Sequence, residues 1–375
     1  MPKASDHFYM TRALRLAHQG LYTTHPNPRV GCVVVNNHQI AGEGFHARTG
    51  SPHAEVIALA AAGSAAEGAT VYVTLEPCCH QGRTPPCTQA LISAHVARVV
   101  VAMEDPNPRV AGKGLNALRE AGIGVDCGIL EDTASKMNPG FISRMRRGRP
   151  WVRIKSAISL DGRTAMASGE SQWITGEAAR RDVQFLRAQS SAVMTGRATV
   201  VTDDPCLNVR LGAEELGIDG EVRQPLRVIL DSKLQCPPEA KMFKLPGASL
   251  IITTVEHLEK IQRLERIGVE VECVDGGQRG VSLHAVMQTL AKREINEVHV
   301  EAGAVLTGAL FEQALVDELI LYMAPHLMGD TARGLAHLPH VRRMTERITL
   351  RIYDMRRVGE DLRLTAAIGT CQIDN

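Results

Sequence analysis

No stretch of this 375-residue chain is apolar for long enough to span a bilayer, so a membrane-embedded protein is not expected. The opening MPKASDHFYM has no apolar run behind a basic start, which argues against a secretory signal and makes the cytoplasm the expected address. A disulfide framework is lacking as well. The nine cysteines are odd in number and irregularly spaced, so those that cluster are better candidates for metal ligands. Neither sign of charge is in excess: 42 Lys and Arg stand against 41 Asp and Glu, a net of +1. That offers little attraction to a nucleic-acid backbone and favours a small-molecule substrate. There is no internal repeat, no low-complexity tract, and no Gly-x-Gly-x-x-Gly after a strand, which excludes a Rossmann fingerprint.

What is present is an ordinary globular composition, 44% apolar and 22% charged, in a chain long enough for two cores. Met10, Ala13, Leu14, Ala17 and Leu21 recur at helical spacing, and the proline-bearing stretch 23–29 ends that helix. Apolar runs at 30–35 and 39–44 fit a strand hairpin. Helices are expected at 54–62, 88–94 and 114–121, alternating with strands at 70–74, 97–103 and 124–127. These complete a layered α/β domain over residues 1–145. The segment 146–150, with the basic run Arg144-Met-Arg-Arg-Gly-Arg149, reads as linker. A second α/β domain fills 151–375, with buried-type strands at 152–157, 192–195, 226–230, 249–253 and 297–300.

His53-Ala-Glu55 stands at the start of one expected helix, Pro77-Cys78 follows a strand, and Cys87 precedes another helix. Helix N-termini favour thiolate over thiol, which suits a zinc site. His53, Cys78 and Cys87 would give three protein ligands and leave one tetrahedral position open, as in a catalytic site. Zinc lowers the pKa of a water in that position to about 7, and Glu55, beside the metal but not bound to it, can move the protons of a hydrolytic deamination. A His-x-Glu followed by Pro-Cys-x-x-Cys is the signature of zinc deaminases. Two alternatives stay open. Cys79 could replace Cys78, and Cys79 or His80 could close a four-ligand structural site that staples a binding module. The chain departs from the signature in placing eight residues, not two, between the cysteines.

That widened segment, Cys78-Cys-His-Gln-Gly-Arg-Thr-Pro-Pro-Cys87, is flanked by His25-Pro-Asn-Pro28 and Asp105-Pro-Asn-Pro-Arg-Val-Ala-Gly112. With Ser159-Leu-Asp-Gly-Arg163, Ser171-Gln-Trp173, Asp203-Asp-Pro205 and Glu301-Ala-Gly303 it resembles the bifunctional deaminase–reductases of riboflavin biosynthesis over essentially the whole chain. The resemblance implies a cytidine-deaminase-like three-layer domain followed by a dihydrofolate-reductase-like α/β domain. It implies zinc-dependent deamination of a diaminopyrimidinone ribosylamine 5'-phosphate, then NADPH-dependent reduction of the ribosyl chain to ribityl. A homo-oligomer is expected. The other reading of the zinc motif is a nucleoside or transfer-RNA deaminase fused to a nucleotide-binding domain, against which the low net charge speaks.

In the widened loop, His80, Arg83 and Thr84 could bind the ribose phosphate. Asn27, held between two prolines, carries a donor and an acceptor suited to a pyrimidine edge, and His46 and Asn107 could line the same pocket. In the second half, a strand runs through Val298 into Ala-Gly and then a helix, where backbone N–H groups can hold a pyrophosphate. The resemblance assigns the cofactor to Ala157, Trp173, Thr199, Asp203, Gly303, Ala304, Val305, Leu306, Thr307, Gly308 and Ala309, and the reductase substrate to Ser171, Arg187, Leu207, Arg210 and Glu301. Arg187 and Arg210 suit a phosphate, and Trp173 offers a flat face. Lys155 and Asp203 are the candidate acids, or else ion-pair partners. Arg197, Ser232 and Lys233 are available for a 2'-phosphate.

Overall fold

The computed structural model describes residues 4–79, 86–108, 110–277 and 280–369, and the chain divides into two compact units, Met1–Arg149 and Pro150–Asn375. His80, Arg83 and Thr84 therefore lie outside the described residues.

The first unit is a five-stranded sheet between two layers of helices. Its strands are β1 (Gly31–Asn36), β2 (Gln39–Phe45), β3 (Thr70–Val73), β4 (Arg98–Val101) and β5 (Gly124–Cys127), in the order β2-β1-β3-β4-β5. β1 is antiparallel to both neighbours, while β3, β4 and β5 are parallel. The central strands are apolar along their length because both faces are covered. Cys32, Val34, Val71, Val73, Val99 and Val101 pack against α2 (Ala54–Ala62), α3 (Cys87–Ser93) and α4 (Lys113–Glu120). Val33, Val35, Tyr72 and Val100 face α1 (Ala4–His18), α5 (Glu131–Met137) and α6 (Pro139–Arg147).

One close approach decides where α2 sits: a Cβ on Gly44 of β2 would lie 2.5 Å from Ala54 O and 2.7 Å from Ala58 N. Small residues on both elements let α2 lie against the strand, which brings the start of that helix to the end of the sheet. Arg146 and Arg147 belong to α6, so the last turn of this helix takes up part of the segment read as linker. Helices run on local hydrogen bonds and tolerate a basic final turn, which the dipole favours.

The second unit is built on a nine-stranded sheet. From edge to edge its strands are Val269–Cys273, Ser249–Thr253, Leu226–Leu230, Ala192–Gly196, Glu297–Val300, Trp151–Ser159, Glu318–Ala324, Asp361–Ile368 and Leu350–Val358. All are parallel up to Glu318–Ala324, and the last two form an antiparallel hairpin. Val152, Ile154, Met194, Val228, Val298 and Val300 bury one face under Val286, Met287, Leu290 and Leu310. On the other face Val193, Ile229 and Ile251 meet Leu207, Met242 and Leu264, and Ile320 and Tyr322 meet Val183 and Leu186. The chain winds outward from Ala192 to Val269 and returns to insert Glu297–Val300 beside Ala192–Gly196. That reversal opens a crevice at the carboxyl ends of the two strands, the usual place for a ligand in a parallel sheet. Among the described residues no helix is long and apolar enough to cross a membrane.

Candidate active sites

In the first unit three chain segments converge. His53 is the N-cap of α2, Cys78 follows β3, and Cys87 is the first residue of α3. The ligating atoms of these three lie within 4.8 Å of one another, and among the described residues no other group of His, Cys, Asp or Glu has this geometry. His53 Nδ1 is 3.1 Å from Cys87 Sγ and 3.6 Å from Cys78 Sγ, and Cys87 N–H donates to Cys78 Sγ at 3.4 Å. One nitrogen and two sulfurs in mutual contact form a donor set of the kind zinc takes. Cys79 is not part of the group. Hydrogen bonding from Cys87 and from His53 holds the Cys78 thiol well below its usual range, and the same pairing pushes Cys87 up.

Glu55, in the first turn of α2, is buried, and burial pushes its carboxyl up to about 7, with the Cys78 thiolate adding to the rise. A carboxyl that titrates near neutrality can both take and return a proton. The buried ring of His46 meets that of His53 edge to face at 5.4 Å. His46 Nδ1 lies 3.2 Å from Pro52 O and its Nε2 3.0 Å from Asn27 Nδ2. Burial, with His53 alongside, lowers the His46 pKa against the opposing pull of the Pro52 carbonyl. Asn107 lies on the segment after β4, where its N–H donates to Asp105 at 2.8 Å.

Two acids that motif reading passes over shape this site. Glu76, just before Pro77-Cys78, accepts backbone N–H bonds from Asp105, Gly112, Gly114 and Leu115 at 3.1, 2.9, 2.8 and 3.2 Å. It ties the Cys78 segment to the Asn107 segment and to the start of α4. Asp105 is itself buried, and burial raises its carboxyl to about 6. The Leu-Glu-Pro-Cys run held the signal for Glu76, because a carboxylate beside a ligand needs donors from somewhere.

The crevice of the second unit is a cavity of about 890 Å³. Gly196, Arg197 and Thr199 line it from one strand end, and Gly303, Ala304, Val305, Leu306 and Ala309 from the other. Asp231, Ser232, Lys233, Gln235, His284 and Arg333 complete the walls. A Cβ on Gly303 would meet nothing within 4 Å, because the residue faces open space at the start of the helix Ala304–Glu312. Gly308 has the opposite role: a Cβ there would fall 2.0 Å from His337 O, so this glycine serves packing. Thr307 is buried and donates to Ala302 O at 3.4 Å, so neither it nor Gly308 is on the crevice wall. Gln235, His284 and Arg333 escaped sequence reasoning because they come from separate segments without a local motif.

Beside the crevice, Glu301 accepts from Arg187 Nε and Nη2 at 2.5 and 3.0 Å, with His299 Nε2 at 3.5 Å. Arg187 Nη1 also donates to Asn208 O at 3.0 Å. The guanidinium expected to bind phosphate is thus engaged by protein groups. Lys155 is half-buried near this pair, and desolvation lowers its pKa against the opposing pull of Glu301. Its Nζ lies 5.9 Å from the centre of the Tyr322 ring, and Tyr322 pairs with Ala157 across the strands. The Leu207 side chain is in the core and not on the crevice wall. Trp173 does not line the crevice: it is 70% exposed, with the Arg180 guanidinium 4.7 Å from its ring centre. Ser171 is half-buried, Arg210 is exposed, and Asp203 is raised by burial and lowered by Arg333.

Two family models match the chain: the cytidine and deoxycytidylate deaminase zinc-binding region over residues 3–103, and the RibD C-terminal domain over residues 150–364. The class is therefore a two-part enzyme, a zinc-binding deaminase joined to a reductase that uses a nicotinamide cofactor. The chain is 49% identical over 362 residues to the riboflavin biosynthesis protein RibD of Escherichia coli K12, covering 95% of this chain and 98% of that protein. The Haemophilus influenzae RibD is 48% identical over 367 residues, 96% and 97% of the two chains. The chain belongs to the RibD family, the bifunctional deaminase–reductases of riboflavin biosynthesis. Its fold matches the solved RibD of Acinetobacter baumannii with a TM-score of 0.89 at 46% identity, covering 97% of this chain and 99% of that one. A Thermotoga maritima protein described as a diaminohydroxyphosphoribosylaminopyrimidine deaminase/5-amino-6-(5-phosphoribosylamino)uracil reductase gives 0.84 at 31%, covering 97% and 99%.

Proposed function

We propose that the first unit hydrolytically deaminates 2,5-diamino-6-ribosylamino-4-pyrimidinone 5'-phosphate and that the second uses NADPH to reduce the ribosyl chain, giving 5-amino-6-ribitylaminouracil 5'-phosphate. The observation that carries the first step is the group His53, Cys78 and Cys87 within 4.8 Å, with buried Glu55 beside it. The three residues would hold zinc, which would supply Lewis acidity and an activated water. Glu55 would take a proton from the attacking water and return protons to the ring nitrogen and to the departing ammonia. Asn27 and Asn107 read the pyrimidine, and His80, Arg83 and Thr84 hold the ribose phosphate.

For the second step, NADPH supplies the hydride. Opening of the ribosylamine ring exposes a C=N carbon that accepts it, and Lys155 or Asp203 gives the proton to the nitrogen. Gly303 and the start of the helix Ala304–Glu312 bind the pyrophosphate. Preference for NADPH is supported by the chemistry at the end of Leu226–Leu230. There Asp231 accepts N–H bonds from Gln235 and Cys236 at 2.5 and 2.6 Å, which holds the turn that carries Ser232 and Lys233. Arg197, Ser232 and Lys233 then receive the 2'-phosphate. Glu301, Arg210, Ser171 and the Leu207 backbone contact the substrate, while Arg187 orients Glu301.

The enzyme is cytoplasmic and a homo-oligomer in this reading. Support for self-association comes from the edge strand Leu350–Val358, where Ile352 and Met355 are 57% and 67% exposed. The test is to supply the phosphorylated diaminopyrimidine with and without NADPH while following ammonia and nicotinamide absorbance. Ammonia is expected without NADPH, and oxidation of NADPH only after it. Turnover of nucleosides or RNA in place of the phosphorylated compound would defeat the proposal.

A further inference from the structure

Three buried guanidiniums in the second unit each have a carboxylate of their own. Arg153 lies 3.4 Å from Glu297 and is bonded to Glu318, Arg187 holds both oxygens of Glu301, and Arg363 donates to Asp182 at 2.8 Å. Lys155, on the same face of the sheet as Arg153, is matched differently. Among the described residues its Nζ has no hydrogen-bond or ion-pair partner, and what it meets is an aromatic ring. Lys155 stands opposite Ile320 and Ala157 opposite Tyr322, so Lys155 and Tyr322 are diagonal neighbours on one face. Nζ is 5.9 Å from the centre of the Tyr322 ring, within reach of a cation–π contact. Arg363 lies 6.0 Å from the same ring, but it has Asp182 as its partner. Tyr322 is fully buried, and its hydroxyl donates to Asp182 Oδ2 at 2.5 Å. Burial, with Asp182 alongside and Arg363 opposing, pushes the phenol well above its usual range, so the hydroxyl keeps its proton. Asp182 and Arg187 belong to one helix, Glu177–Gln189, which thus anchors both the ring beside Lys155 and the nearby Glu301. The other titratable groups around the ammonium are Glu301, which raises its pKa, Arg187, which lowers it, and buried His299 on the adjoining strand.

We propose that Tyr322 is a positioning residue that holds the Lys155 ammonium by its ring, keeping the lysine charged without occupying its N–H groups. The proposal rests on the reading of Lys155 as the proton donor in reduction and deepens it. A carboxylate in the place of the ring would also favour the ammonium, but it would accept the hydrogens and oppose their transfer to a substrate. An aromatic ring stabilises the cation through its quadrupole and is not a base, so the three N–H bonds stay available to a ligand. The bond from the phenol to Asp182 adds electron density to the ring and strengthens the contact. The guanidiniums paired with carboxylates are struts, whereas the lysine paired with a ring is held and still able to react.

The test changes the electrons of the ring and leaves its size alone. Tyr322→Phe in the full chain serves as the reference, and phenylalanines carrying one, two or three ring fluorines are placed at the same position. Each fluorine weakens the quadrupole with little change of volume, so a mere packing role is not affected in proportion. The Lys155 pKa is read by NMR on lysine labelled with 13C at Cε, its signal assigned by its loss in Lys155→Met. It is expected to fall stepwise along the series, by about 0.5–1.5 pH units in all. For NADPH-dependent reduction of the deaminated intermediate, the descending limb of the kcat profile should move to lower pH by the same amount, with KM for NADPH nearly constant. A Lys155 pKa that does not change along the series overturns the proposal. If the pKa follows the series while the rate limb stays fixed, Lys155 is not the donor, and the functional reading fails while the contact with Tyr322 stands.

Discussion

Arg187 sets two of its guanidinium nitrogens on the two oxygens of Glu301, at 2.5 and 3.0 Å, and the pair is almost wholly out of water. A bidentate pair of this kind is rigid, and breaking one side leaves the other charge buried without compensation. Glu301→Gln is therefore expected to destabilise the second unit by about 3–5 kcal/mol, read by chemical denaturation of the full chain. Arg187→Lys, which keeps the charge but not the fork, should recover only part of that loss. Equal stability of Glu301→Gln and the parent would show that the pair is not the strut its geometry describes.

The same carboxylate governs Lys155. Burial lowers the lysine pKa, Glu301 raises it, and Arg187 lowers it again. If Lys155 donates the proton in reduction, its charged form is the active one, and the rate falls as pH rises through a pKa below the ordinary lysine value. Stability runs the other way. The folded state binds this proton less tightly than the unfolded chain, so the contribution of Lys155 improves as pH rises between the two pKa values and is lost as pH falls. Glu301→Gln should move the descending limb of the rate profile to still lower pH, and Lys155→Met should abolish the limb. A limb that stays in place in Lys155→Met would pass the role to Asp203.

The metal group was legible because its signal is local. Each candidate ligand stands at a helix start or just after a strand, and Ala54–Ala62 carries both His53 and Glu55. Cys87 was expected before its helix and is its first residue, a shift of one position with no chemical consequence. The reductase residues were less legible for a physical reason. Arg187, Leu207 and Glu301 are far apart in sequence, and a residue type alone does not say whether a guanidinium faces ligand or carboxylate, or whether a leucine faces pocket or core. The crevice depends on the return of Glu297–Val300 beside Ala192–Gly196, a tertiary event with no local mark.

Cys78 and Cys79 are adjacent and chemically identical, yet only Cys78 has its sulfur in the group with His53 and Cys87. Cys78→Ser is expected to lose zinc, measured by metal analysis after dialysis, and Cys79→Ser to retain it. Loss of zinc in Cys79→Ser would transfer the ligand role.

Glu55→Gln separates the two halves. The amide keeps the shape of the buried carboxyl but cannot carry protons between water and leaving group, so ammonia release should fall by roughly 10²–10⁴-fold. Zinc content should stay unchanged, because Glu55 is not among the clustered ligands. Reduction of the already deaminated intermediate should proceed at the parental rate, and its loss together with deamination would argue against two separate sites.

Gly44 offers a test of how the fold holds the metal site. A methyl group there would meet Ala54 O and Ala58 N at 2.5 and 2.7 Å, both backbone atoms of α2 that cannot rotate away. Gly44→Ala must therefore push the helix off β2, at a cost of about 1–3 kcal/mol. Because His53 caps α2 while Cys87 starts α3, the displacement acts on one ligand and not on the others. The variant is expected to bind zinc more weakly, read by competition with a chelating dye, and to lose deamination while the reductase unit keeps its activity. Parental zinc affinity in a folded Gly44→Ala would mean that α2 is not fixed by this contact, and that the position of His53 is set from the Pro52 side instead.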